Sequence, residues 1–273
     1  MPDAPRIALI QMAPIPHDPP ANLARMETFL AQARDRNADL AVFPENCLVG
    51  AMSTRPDLAD KDGWYARSVA ALARKYALDL VPGSHAEREG DKLFNTAYYL
   101  DRSGEILGRY RKINLWLSEK GMFERGRDTV VCETRFGRVG LSICWDLAFP
   151  ELYRRQFEQQ ARLMICVAHW CLEDAGPGLR RNPRAEPILI DACCIARACE
   201  NEAAFLFCNS GGIWKGKSGD CRSAGRTQMA LPFLGATDKI EDGEESALNV
   251  CPDLSILDEA ETAYEQKRDK GFA

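Results

Sequence analysis

Short apolar runs of strand length alternate along this chain with segments of helical spacing, and turn-rich hairpins interrupt the alternation. That pattern restricts the chain to layered folds of sheet and helix. Residues 6–11, 39–43, 78–84, 163–168 and 203–209 read as buried strands. Leu23, Met26, Leu30 and Ala33 fall on one face of a helix over 22–36, with Asn22 as its candidate N-cap. Residues 64–76, 150–160 and 187–201 read as further helices. Two hairpins are expected: 95–100 with 105–111 around Asp101-Arg102-Ser103-Gly104, and 130–134 with 138–143 around Arg135-Phe136-Gly137. The expected architecture is an α/β layered fold with mixed sheets, in one domain, because no linker, charge block or internal repeat divides the chain. Residues 254–270 are expected to be helical at first, then an extended tail that packs on a partner subunit.

Lys and Arg total 35 against 40 Asp and Glu, a formal net charge of −5, so there is no electrostatic case for nucleic acid or an anionic membrane. No apolar run approaches the roughly 20 residues of a membrane helix. The opening Met-Pro-Asp-Ala-Pro-Arg lacks the basic start and apolar segment of a signal peptide, which makes a cytoplasmic location the expectation. The 11 cysteines contain no C-x-x-C pair, so no metal site is expected, and their odd number argues against a disulfide framework.

Three reactive side chains stand at the ends of strand-like runs. Glu45 follows Leu40-Ala41-Val42-Phe43-Pro44, Lys112 closes Gly108-Arg109-Tyr110-Arg111, and Cys144 closes the run from Val139 to Ile143. Shortly after Cys144, Phe149-Pro150-Glu151 opens a helix. A thiol at such a turn can lie near free helix N–H groups, which favour thiolate and supply donors for an oxyanion. A Cys-His pair has little support, because the chain holds only His17, His85 and His169.

Together these blocks resemble the nitrilase superfamily of carbon–nitrogen hydrolases. The resemblance rests on Phe43-Pro44-Glu45-Asn46, on Tyr110-Arg111-Lys112-Ile113-Asn114-Leu115, and on Gly140-Leu141-Ser142-Ile143-Cys144-Trp145-Asp146 continuing to Phe149-Pro150-Glu151-Leu152. Phe94-Asn95-Thr96-Ala97, Ala196-Arg197-Ala198 with Glu200-Asn201, and Gly225-Arg226-Thr227-Gln228 support it. It implies a four-layer α-β-β-α sandwich, no cofactor, and a homodimer or higher homo-oligomer formed through residues 150–160 and the segment from 254 onward. Cys144 is then the nucleophile and Glu45 the general base, while Lys112 and the Trp145 N–H stabilise the oxyanion. Glu119 is the candidate second glutamate and Glu124 its rival. His169 and Trp170 are placed to line the substrate pocket, although the family often has a proline near this strand end where this chain reads Val167-Ala168-His169-Trp170. The implied reaction is cysteine-dependent hydrolysis of a small non-peptide amide through a thioester. The alternatives are a nitrilase, an N-carbamoyl amino acid amidohydrolase or, more remotely, a non-catalytic scaffold.

Overall fold

The computed structural model describes residues 4–50, 55–216 and 219–269. One sheet contains β1 (Ile7–Gln11), β2 (Leu40–Val42), β3 (Asp79–Val81), β4 (Ser84–Glu89), β5 (Lys92–Leu100), β6 (Ile106–Arg111) and, from late in the chain, β15 (Ser246–Val250). Its order is β15-β1-β2-β3-β5-β4, with β6 paired to β5. A second sheet contains β7 (Val131–Thr134), β8 (Gly137–Ile143), β9 (Leu163–Ala168), β10 (Ala204–Asn209), β13 (Gln228–Leu231) and β14 (Gly235–Lys239), in the order β14-β13-β10-β9-β8-β7. β11 (Ile213–Gly216) and β12 (Gly219–Arg222) form a separate two-stranded ribbon. The helices are α1 (Pro19–Asp35), α2 (Trp64–Tyr76), α3 (Pro150–Glu158), α4 (Ala185–Glu200), α5 (Ser255–Tyr264) and α6 (Gln266–Asp269).

The layering follows from the alternation of side chains along each strand. In β1, Ile7 and Leu9 join the core between the sheets, while Ala8 and Ile10 join the core under α1 and α2. β2 repeats this with Leu40 and Val42 on one face and Ala41 on the other. Tyr153, Phe157, Ile190, Cys194 and Ala198 bring α3 and α4 onto the second sheet, which completes the α-β-β-α sandwich. A one-residue slip in β1 would exchange its two faces, and fully burying each Leu or Ile is worth about 1.5–3 kcal/mol, so the register is strongly specified.

Several expectations are corrected. Asn22 is not a cap: α1 starts one turn earlier, where the Asp18 side chain accepts from the Ala21 N–H. Asn22 is fully buried and instead exchanges hydrogen bonds with the Ile15 backbone and donates to the Leu48 carbonyl, tying two loops together. The strand expected over 78–84 ends at Val81, because Pro82-Gly83 turns the chain into β4. β4 escaped detection because Glu87-Arg88-Glu89 break its apolar pattern. The segment after Asp253 is not an extended tail up to residue 269: α5 buries Leu257 and Ala260 against its own chain, and Asp258 pairs with Arg162 at 2.6 Å. Residue 270 lies outside the described residues. No helix among the described residues is long and apolar enough to cross a membrane.

Gly83 adopts a left-handed φ of +78°, and a Cβ there would lie 1.9 Å from the Pro44 carbonyl oxygen. It lets the β3–β4 turn lie against the loop that carries Glu45. Gly83→Ala should therefore lower stability in urea unfolding by about 2–4 kcal/mol, since backbone strain and a clash with main chain act together.

Candidate active site

Glu45, Lys112 and Cys144 each leave the end of a strand, and the packing of the two sheets brings them to one cavity. Glu45 follows β2 from the first sheet, Lys112 follows β6 of the same sheet, and Cys144 follows β8 of the second. The Glu45 N–H bonds the Ala168 carbonyl at the end of β9, linking the sheets directly at this point. Cys144 begins a 3₁₀ turn, Cys144–Ala148, with a φ of +50°. That conformation is costly for a non-glycine residue and marks a position held by its surroundings.

At the centre lies the Lys112 ammonium, almost fully buried. It donates to Glu45 Oε1 at 2.9 Å and pairs with Glu119 Oε2 at 2.8 Å. Asn95 Nδ2 reaches both carboxylates, at 2.7 Å to Glu45 Oε1 and 2.9 Å to Glu119 Oε1. The His169 N–H donates to Glu45 Oε2 at 2.9 Å, and the Trp116 N–H to Glu119 Oε2 at 2.7 Å. Both acids are therefore oriented by main chain as well as by lysine and amide. Burial pulls the lysine pKa down, but the charges of Glu45 and Glu119 outweigh it and hold it well above the ordinary value. The structure thus brings Glu119, and not Glu124, to the lysine; Glu124 is exposed and donates its N–H to the Leu93 carbonyl.

The Cys144 thiol behaves differently from the expectation that a helix start and a lysine would favour thiolate. Burial pushes it up, the Glu45 charge pushes it further, and Lys112 and the His169 N–H offset only part of this. Its pKa stands well above the ordinary thiol value. A neutral resting thiol suits a site in which an adjacent carboxylate accepts the proton during attack.

Asp146, fully buried two residues after Cys144, locks the nucleophile turn to the lysine loop. Its Oδ2 accepts from the Tyr110 hydroxyl at 2.6 Å and the Ile143 N–H at 3.0 Å; its Oδ1 accepts from the Asn114 N–H at 2.8 Å and Nδ2 at 3.0 Å. Asn95 and Asp146 stood in the sequence blocks without a role. Their signal was a polar side chain inside a strand or just past one, which periodicity alone does not interpret.

The cavity occupies about 450 Å³. Cys144, Glu45, Lys112 and Glu119 form its floor, and Trp116, Trp145, Trp170 and Trp214 give it aromatic walls. Trp145 packs edge-on against Trp116, with ring centroids 4.6 Å apart, and lies 5.5 Å from Trp170. Trp170 is anchored from behind by its Nε1–H, which donates to Glu186 Oε2 at 2.5 Å. His169 also lines the cavity, its ring 3.9 Å from that of Trp214, and burial drives its pKa down to about 4, so it is neutral. Both its ring nitrogens are buried and lack a hydrogen-bond partner among the described residues. His17 reaches the rim, which its sequence surroundings did not suggest, whereas His85 is a core ring stacked on Tyr65.

Residues 6–235 match the carbon-nitrogen hydrolase family. The 2-oxoglutaramate amidase of Bacillus subtilis is 30% identical over 219 residues, covering 79% of this chain and 78% of its own. A protein named "Probable nitrilase" from Schizosaccharomyces pombe is 31% identical over 172 residues, 60% of this chain, which spans 63% of that relative's length. The crystal structure of Saccharomyces cerevisiae Nit3, a nitrilase-superfamily member, superposes with a TM-score of 0.82 at 21% identity, covering 97% of this chain and 95% of that one. This chain belongs to the carbon-nitrogen hydrolase family, and it is a hydrolase acting on carbon–nitrogen bonds other than peptide bonds.

Two measurements follow from the geometry. Asp146→Ala leaves the buried Tyr110 hydroxyl and the Ile143 and Asn114 donors without an acceptor, and should destabilise the fold by about 2–4 kcal/mol in thermal unfolding. Alkylation of Cys144 by iodoacetamide, followed by peptide mass spectrometry, should be slow at pH 7 and climb with pH without a plateau near neutrality, because a raised thiol pKa leaves little thiolate there. In Glu45→Gln the climb should shift to lower pH, since the negative charge that raises the thiol is removed.

Proposed function

We propose that the protein hydrolyses a small non-peptide amide, releasing ammonia or an amine through a thioester on Cys144. The observation that carries this reading is the buried Glu45–Lys112–Glu119 cluster sharing one closed-in cavity with the Cys144 thiol. Two carboxylates against one ammonium leave the cluster with a net negative charge, so it can accept a proton.

In the first half-reaction Glu45 takes the thiol proton as the Cys144 sulfur attacks the carbonyl carbon. The carbonyl π electrons move to oxygen, where Lys112 and the Trp145 N–H, in the first turn of the 3₁₀ segment, stabilise the charge. Collapse breaks the C–N bond, and the nitrogen leaves with the proton held by Glu45. A water then gives a proton to Glu45 and attacks the thioester carbon, and the carboxylic acid departs as the thiol is regenerated. Glu119 and Asn95 act as positioning residues that hold Lys112 and Glu45 in register. His169 and Trp170 form the wall against the acyl group.

Amidase chemistry is also what the name of the Bacillus subtilis relative describes. Cys144→Ala and Glu45→Gln should each lower ammonia release by at least about a thousandfold, in line with losses on removing a nucleophile or its base. A coupled ammonia assay over neutral, cationic and anionic amides, ureido acids and nitriles checks this. Full turnover by Cys144→Ala would sink the proposal, and turnover of nitriles alone would replace amidase by nitrilase.

A further inference from the structure

Asp174 is the one cavity-lining acid that the catalytic cluster does not use. It lies in the 3₁₀ segment Leu172–Arg180, which follows β9 and brings the chain past the cavity wall. Its Oδ2 accepts from the Cys171 N–H at 2.8 Å, and the Cys171 thiol adds a second hydrogen bond to the carboxylate. These contacts fix the carboxylate but bring no positive charge to it. Lys112 answers Glu45 and Glu119, and Lys215 at the rim pairs with Asp220 at 2.8 Å. Among the described residues no cation pairs with Asp174. Burial, with the nearby Glu186 charge adding to it, pushes its carboxyl up to about 6, so it is largely ionised at neutral pH and poorly solvated.

Such a group is stabilised by a cation or a strong N–H donor entering the cavity. The remaining walls suit a cation: Trp170 and Trp214 offer π faces, and His169 is neutral and does not repel it. We propose that Asp174 is a specificity-determining residue, which selects amides whose acyl chain carries a protonated amine and disfavours acyl chains ending in a carboxylate. The inference rests on the amidase reading of Cys144, because it places the acyl chain in the cavity above that thiol.

The test compares kcat/KM for three amides of matched length: γ-aminobutyramide, which is cationic, valeramide, which is neutral, and glutaramate, which is anionic. The order expected of the unaltered protein is cationic, then neutral, then anionic. In Asp174→Asn, whose side-chain oxygen can still accept the Cys171 N–H, the cationic-to-neutral ratio should fall by about tenfold to a hundredfold, mainly through KM, as expected for losing a charge-assisted contact. Circular dichroism melting confirms that the variant is folded. A merely structural role for Asp174 moves all three substrates together and leaves their ratio unchanged, which would overturn the inference, as would an unaltered protein that prefers valeramide or glutaramate. If no amide is turned over and Cys144→Ala behaves like the unaltered protein, it is the amidase reading that fails. If valeramide is hydrolysed without any cationic preference, the specificity of Asp174 alone is lost.

Discussion

A lysine ammonium with about one per cent of its side chain exposed requires negative partners, and the rest of the site is arranged around that requirement. Glu45 and Glu119 provide them from two loops, with Asn95 between the acids from β5. Removing one member leaves a buried charge uncompensated, a loss that typically costs about 3–5 kcal/mol. The cluster is therefore a structural joint as well as chemical machinery. The same negative surplus that lets Glu45 act as a base also pushes the adjacent thiol up. Catalytic competence here depends on proton transfer during attack rather than on a preformed thiolate.

The joint has a second part on the opposite side of the nucleophile. Asp146 gathers donors from β6, from the lysine loop and from the end of β8. It lies inside the core, where a carboxylate is expensive unless its hydrogen bonds are made. Making them sets the strained turn at Cys144 against the loop that starts at Lys112. Gly83 does a comparable service for the Glu45 loop by leaving out a side chain. A polar network and an absent Cβ thus serve the same end: they fix loops of different strands at the spacing that the reaction needs.

How much of this could be read beforehand differs from element to element. β1, α2, β9 and β10 were legible within a residue or two, because each buries a continuous run or presents a clear apolar face. β4 and the strands after Asn209 were not, since charged residues interrupt their pattern and their pairing is long-range. Asn22 illustrates the limit at a single residue: a polar side chain near a helix start reads as a cap, yet here it is buried and stitches loops. At the site, Glu45, Lys112 and Cys144 stood out by strand-end position and by the blocks around them. Asn95 and Asp146 did not, because buried hydrogen-bond geometry leaves no periodic trace.

The amino-acid sequence by itself determined the layered class, the nucleophile, its acid and its lysine, since local patterning and short blocks carry that information. Only the tertiary structure decided that Glu119 rather than Glu124 meets Lys112, that the thiol is raised rather than lowered, and that Asp174 faces the cavity without a cation among the described residues. Each of these depends on distances between segments far apart in the chain and on burial. Both are set by how the two sheets pack.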